Sequence, residues 1–288
     1  MLITLTMDSF AQSPPPPGTR VDRDLIFAKF GDKNLSLDLY RPAKQAGKLP
    51  VVVWIYGGAW MQRNKSAQVG HGSWLATHGY AVAVIDYRLS SEALFPAQIN
   101  DCKAAVRWLR ANAAKYGLDG EHVGAWGESS GGHLASMLGV TGDRSVLGAQ
   151  GDSSESSSVQ AVVDFYGPTD FLQMDAHALP NSPFKHDAPD SPESRLVGGP
   201  IQQNASRVEA ANPVKYVARN APPFLIVHGE QDPLVPCHQS ELLYEALKKE
   251  GAGVTFYKIA GAGHGGPEFY NEMMRGAVLA FLDRHLKP

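Results

Sequence analysis

The chain has 288 residues, of which 43% are hydrophobic and 19% charged, with a formal net charge of −3. That length supports a sizeable buried core, and the small negative charge offers no basic field for nucleic acid or anionic lipid. No apolar run approaches the roughly 18 residues needed to cross a bilayer, so no membrane span is expected.

The chain starts with MLITLTMDSFAQSPPPPG, which reads in two ways. A short apolar run before Ala11 fits the remnant of a secretion signal, placing the protein outside the cytoplasm. The lack of a basic n-region and the presence of Asp8 fit a flexible, polyproline-containing tail on a cytoplasmic protein instead. Residues 1–19 are assigned to this tail and 20–288 to one domain.

From there, apolar β-branched runs alternate with amphipathic stretches. LSLDLYRP (35–42) alternates as an early antiparallel strand does. LPVVVWIYGG (49–58) is continuously apolar and ends in glycines, the pattern of a strand buried on both faces. SAQVGHGSWLATHG (66–79) is predicted helical, YAVAVIDYR (80–88) a strand, and PAQINDCKAAVRWLRANAAKYG (96–117) one long helix closed by glycine. HVGAWG (122–127), VQAVVDFYGP (159–168), PPFLIVHG (222–229) and VTFYKIAG (254–261) are predicted strands. SGGHLASMLG (130–139), CHQSELLYEALKKEG (237–251) and PEFYNEMMRGAVLAFLDRHL (267–286) are predicted helices. This alternation builds a mostly parallel sheet with helices on both faces. Two segments break it: the serine- and glycine-rich stretch 141–158, read as a surface loop, and residues 171–217, read as an inserted lid or pocket wall.

The two cysteines, Cys102 and Cys237, are too few for a disulfide framework, and no Cys/His spacing suits zinc. Cys102 recurs with Ile99, Val106 and Leu109 at helical spacing and is expected to be buried.

The glycine-rich breaks fall where the predicted strands end, the edge at which such sheets bind ligands. Gly127-Glu128-Ser129-Ser130-Gly131 matches G-x-S-x-G between a predicted strand and a predicted helix. Small residues two before and two after a serine let strand and helix pack closely around a sharp turn. The hydroxyl then projects above the sheet, and the helix N-terminus behind it favours negative charge. A serine hydroxyl needs a base near neutral pH. His264, in GAGHGG after a predicted strand, is the candidate among ten histidines. Asp232, in HGEQDP after another strand, is the candidate carboxylate, with Glu230 its near rival. The order Ser129, Asp232, His264 follows the nucleophile–acid–base order of one hydrolase fold. The turn Tyr56-Gly57-Gly58-Ala59-Trp60 after the third apolar run is the candidate oxyanion loop. Donors are expected from the Gly57–Ala59 stretch, chiefly Gly58 and Ala59, and from Ser130. Trp60 is read as mostly core, but because it follows the oxyanion loop it is also the candidate substrate-binding side chain, lining an acyl pocket. His133 and His228 are read as structural, Trp74, Trp108 and Trp126 as core, and Asp170 as a cap at the start of the insertion.

Those segments, together with LDLYRP, WLATHGYAVAVIDYRLS, SPESRLVGGP and PPFLIVHGEQDPLVP, resemble α/β-hydrolase esterases of the HGGG/GxSxG, hormone-sensitive-lipase-like kind. The chain is most similar to the bacterial bifunctional acetylxylan/feruloyl esterase group, and the resemblance covers nearly everything after about residue 20. It implies an α/β-hydrolase fold, Ser129, Asp232 and His264 as a catalytic triad, and acyl groups on plant cell-wall sugars as substrates. It departs at Tyr56, where many relatives carry histidine, and at Glu128, where Ser or Asp is common. No metal or cofactor is expected. The expected partner is a small-molecule or oligosaccharide ester, with the oligomeric state left open. An arylformamidase, a serine peptidase and a catalytically silent binding module are the rival readings.

Overall fold

Val51, Val52, Val53, Trp54 and Ile55 are all fully buried, as a strand must be when both of its faces are covered. Side chains alternate across such a strand: Val51, Val53 and Ile55 enter one apolar cluster, Val52 and Trp54 the other. The computed structural model describes residues 15–62, 65–144, 147, 154–180 and 182–287. The expected tail therefore lies outside the described residues up to position 14, as do 145–146 and 148–153 of the expected loop.

Among the described residues, eight strands form one sheet: β1 (Thr19–Phe30), β2 (Lys33–Pro42), β3 (Leu49–Ile55), β4 (Ala81–Ile85), β5 (Leu118–Glu128), β6 (Ala161–Phe165), β7 (Phe224–Gly229) and β8 (Val254–Ile259), in the spatial order β1-β2-β4-β3-β5-β6-β7-β8. β1–β2 and β2–β4 pair antiparallel, and every later pair is parallel. The helices are α1 (Val69–Thr77), α2 (Ala97–Ala111), α3 (Ala113–Tyr116), α4 (Ser130–Thr141), α5 (Met174–His177), α6 (Pro192–Val197), α7 (Ala205–Ala210), α8 (His238–Lys249) and α9 (Glu272–Leu286). Buried residues of α2, α4 and α8 join one apolar cluster; those of α1 and α9 join the other. This is the α/β-hydrolase fold.

The structure departs from the sequence reading at several places. Thr19–Phe30 is a strand that was not anticipated, and it begins inside the expected tail. The expected single helix over 96–117 is two, with a break at Asn112, whose side chain folds back onto the Trp108 carbonyl at 2.8 Å. The closing helix starts at Glu272, where Asn271 accepts from the Met274 N–H, and only a 3₁₀ turn covers Pro267–Phe269. Asp170 flanks the first turn of the insertion but caps no N–H; its carboxylate accepts from the Gln173 amide at 2.7 Å. Among the described residues, 171–217 carry only α5–α7 and short 3₁₀ turns, and are tied to the loop after β4 by Phe95 N–H donating to the Leu196 carbonyl at 3.0 Å.

Candidate active site

The end of β5 sets the local geometry. Ser129 has φ 54° and ψ −123°, a region sparsely used by L-residues that costs about 1–3 kcal/mol and is kept only where the surroundings impose it. They do so here by close backbone approach. A Cβ on Gly127 would lie 2.1 Å from the Gly131 carbonyl oxygen, and one on Gly131 would lie 1.9 Å from the Ile55 carbonyl oxygen. Only glycine fits at either position, so the turn is as tight as the motif suggests. The Ser129 N–H donates to the Phe165 carbonyl at 2.8 Å, and its own carbonyl accepts from His133 N–H at 3.0 Å. Below the turn, fully buried Asp164 accepts from Ser136 Oγ at 2.7 Å and from Gly167 N–H at 2.9 Å.

Three loops at the carboxyl ends of parallel strands bring the predicted residues together. Asp232 follows β7, and His264 follows β8. His264 Nε2 lies 2.9 Å from Ser129 Oγ, and its Nδ1 lies 2.7 Å from Asp232 Oδ2. A carboxylate only accepts, so Nδ1 carries the proton and Nε2 is left to accept from the serine hydroxyl. The Asp232 side chain is fully buried, whereas His264 is 16% exposed. Burial alone would raise the pKa of Asp232. Hydrogen bonds from His228 and His264 outweigh it and hold the group well below the usual carboxylate range. Its other oxygen accepts from the N–H groups of Leu234 and Val235 at 2.8 and 2.9 Å. Glu230, the near rival, is exposed.

Gly57, Gly58 and Ala59 are part-exposed beside this line. Gly58 and Ala59 have φ of 122° and 56°, and the turn closes by Met61 and Gln62 N–H groups donating to the Gly58 carbonyl at 2.9 and 3.1 Å. Among the described residues, the N–H groups of Gly58 and Ala59 donate to no protein acceptor. The N–H of Ser130 opens α4, where the first turn has no intrahelical partner. Tyr56 is buried, stacks on Tyr87 with centroids 4.9 Å apart, and gives its carbonyl to the Tyr87 hydroxyl at 3.1 Å.

Trp60 takes the core placement of its two readings. It is 1% exposed and packs on His133 and Phe171, with ring centroids 5.3 and 5.5 Å away. A positive φ of 54° turns it inward, so it supports the loop from beneath and leaves no open face for a substrate.

The BD-FAE family model matches residues 37–247. The chain belongs to the BD-FAE family. It is 32% identical over 265 residues to Esterase LipC of Mycobacterium tuberculosis, covering 88% of this chain and 63% of LipC. Among solved structures, a truncated carbohydrate esterase from gut microbiota is 32% identical with a TM-score of 0.83, covering 94% of this chain and 98% of that one. Esterase Est2 of Thermogutta terrifontis, solved with propionate bound, is 27% identical with a TM-score of 0.71, covering 93% of each chain; it has also been solved phosphorylated by paraoxon.

Around the site of this BD-FAE chain, His133 is fully buried with Nε2 donating to the Ala211 carbonyl at 2.7 Å, and burial lowers its pKa to about 4. His228 is buried too: its Nε2 faces the Val235 carbonyl at 2.9 Å and Asp232 Oδ2 at 3.2 Å, while Nδ1 faces Ser240 Oγ at 2.7 Å. Both are structural in position, as expected. Cys102 is buried on α2 and Cys237 is partly buried; neither is in a disulfide. Among the described residues, no group of three or more His, Cys, Asp or Glu side chains is arranged to hold a metal ion. Sequence reading missed Asp164, Tyr166 and Tyr270. The GxSxG motif points to none of them, because they reach the site from outside it, Asp164 and Tyr166 from the end of β6 and Tyr270 from the approach to α9.

Proposed function

We propose that the protein is a serine carboxylesterase that hydrolyses short-chain acyl esters through an acyl-enzyme, with Ser129 as nucleophile, His264 as base and Asp232 as its orienting acid. One observation carries this reading: the unbroken hydrogen-bond line Asp232–His264–Ser129 at the carboxyl edge of the sheet. His264 Nε2 takes the Ser129 hydroxyl proton as Oγ bonds to the ester carbonyl carbon. The tetrahedral oxyanion is stabilised by N–H donors from the oxyanion loop, Gly58 and Ala59 foremost, and from Ser130. The imidazolium, facing Asp232, returns the proton to the leaving alcohol as the carbon–alkoxy bond breaks. Water then adds to the acyl-enzyme by the same route and releases the acid.

The alcohol side is the carbohydrate of acylated plant cell-wall xylan, with acetyl or feruloyl acyl groups. The gut-microbiota neighbour named a carbohydrate esterase supports the sugar, and the propionate-bound neighbour supports a short acyl chain. Residues 171–217 are proposed to wall the pocket. A panel of p-nitrophenyl acetate, p-nitrophenyl octanoate, methyl ferulate and acetylated xylan tests the reading. Turnover of the acetyl esters with little octanoate turnover is expected. Preference for octanoate would overturn the short-chain assignment, and no release of acetate from xylan would overturn the carbohydrate one.

A further inference from the structure

Glu128 stands immediately before Ser129, and its carboxylate is engaged by two phenols. Oε2 accepts from the Tyr166 hydroxyl at 2.9 Å and also from the Tyr270 hydroxyl. Tyr166 in turn packs edge-on against the His264 imidazole, with centroids 4.7 Å apart and planes at 61°. Its backbone has φ 44°, a left-handed conformation that a tyrosine keeps only where its surroundings hold it. Two bonds do so: its N–H donates to the Val227 carbonyl at 2.8 Å, and its hydroxyl is fixed by Glu128. Tyr270 is itself braced, lying 4.5 Å from the His71 ring, which stacks on buried Trp54 at 4.5 Å. The loop after His264 also fits over the phenol, since a Cβ on Gly265 would lie 3.3 Å from the Tyr166 hydroxyl.

The geometry needs such a brace. Asp232 and Ser129 hold the imidazole at two nitrogens, and neither bond stops the ring from tilting about the line between them. A second ring packed against it does. We infer that Glu128 is a positioning residue that, through Tyr166, keeps the His264 imidazole aligned with Ser129. One residue of the elbow thereby couples the β6 and β8 loops to the nucleophile beside it. The inference rests on the serine-esterase reading above.

The test uses Tyr166→Phe, Glu128→Ala and Glu128→Gln in the full chain, with kcat and KM for p-nitrophenyl acetate, melting temperature, and Ser129→Ala as control. Tyr166→Phe and Glu128→Ala are expected to lower kcat roughly tenfold or more, with KM within about twofold. Glu128→Gln keeps a carbonyl acceptor for one phenol and should recover part of the loss. The Tyr166→Phe/Glu128→Ala double variant should lose no more than the worse single variant, because both remove the same bond. The two single variants cut opposite ends of that bond, so either one, if folded, decides. A kcat within twofold of wild type, a rise in KM alone, or a lower melting temperature without loss of kcat overturns the inference. If instead the wild type turns over no ester, or Ser129→Ala is as active as wild type, the underlying esterase reading fails and this inference with it.

Discussion

His228, near the end of β7, and His264, in the loop after β8, converge on the same oxygen of Asp232, Oδ2, at 3.2 and 2.7 Å. With Oδ1 taken by the Leu234 and Val235 N–H groups, every face of the carboxylate is occupied. A buried carboxylate stays ionised only when its lone pairs are satisfied in this way. In the proposed mechanism His228 therefore helps Asp232 to act as the orienting group, and it is linked to His264 through that shared carboxylate oxygen.

His228→Ala leaves Asp232, Ser240 and the Val235 carbonyl each short of a buried partner. The expected cost is about 2–4 kcal/mol of stability, with kcat lowered roughly tenfold as the carboxylate loses a donor. Urea denaturation and steady-state kinetics measure the two separately. A variant as stable and as active as wild type would show that His228 does not support Asp232.

Gly131→Ala places a methyl group 1.9 Å from the Ile55 carbonyl oxygen. The contact is with backbone, which cannot swing aside, so the strand and the elbow must separate. A loss of at least about 3 kcal/mol is expected, together with a large fall in kcat. Gly276→Ala, inside α9, is a control for the glycine change alone: like Gly131 it is helical with no positive φ, but its Cβ would meet nothing within 4 Å. Equal effects at the two positions would contradict the close-approach argument.

Asp143 follows α4 and gathers Ser156, Ser157 and Ser158, its Oδ1 accepting from the Ser157 N–H and hydroxyl and its Oδ2 from the Ser156 and Ser158 hydroxyls. Partial burial would raise its pKa, but these bonds outweigh burial and lower it from 3.8 to about 2. A depressed carboxylate pKa contributes stability that is present above the unfolded value and is lost as pH falls through the folded one. The contribution is thus complete above about pH 4 and disappears toward pH 2. Melting temperatures measured from pH 6 to pH 2 should fall more for wild type than for Asp143→Asn; parallel curves would contradict this.

The alternation of buried strands and amphipathic helices was readable because a strand covered on both faces is apolar at every position, as Val51 to Ile55 are. β1 was not, because its sequence carries Asp22, Arg23 and Asp24 mid-strand, and its pairing slips between Asp22 and Leu25, with Asp24 at φ 51°. The break at Asn112 was hidden by good helix formers on both sides. At the site, Ser129, Asp232 and His264 were legible because each sits in a short glycine- or proline-marked turn at a strand end. Trp60 kept two readings, core and pocket wall, because nearness in sequence to an exposed turn does not fix which way a side chain points. A positive φ at Ala59 and Trp60 reverses it into the core. The Glu128–Tyr166–Tyr270 cluster had no sequence signature, since its members meet only after β5, β6 and the approach to α9 have packed.

The most direct test of the central claim is the site of covalent labelling by a fluorophosphonate, located by peptide mass spectrometry. One equivalent on Ser129, with p-nitrophenyl acetate turnover lost in step with labelling and no labelling of Ser129→Ala, is the expected result. Labelling at another residue, or turnover undiminished once Ser129 is fully modified, would contradict the account.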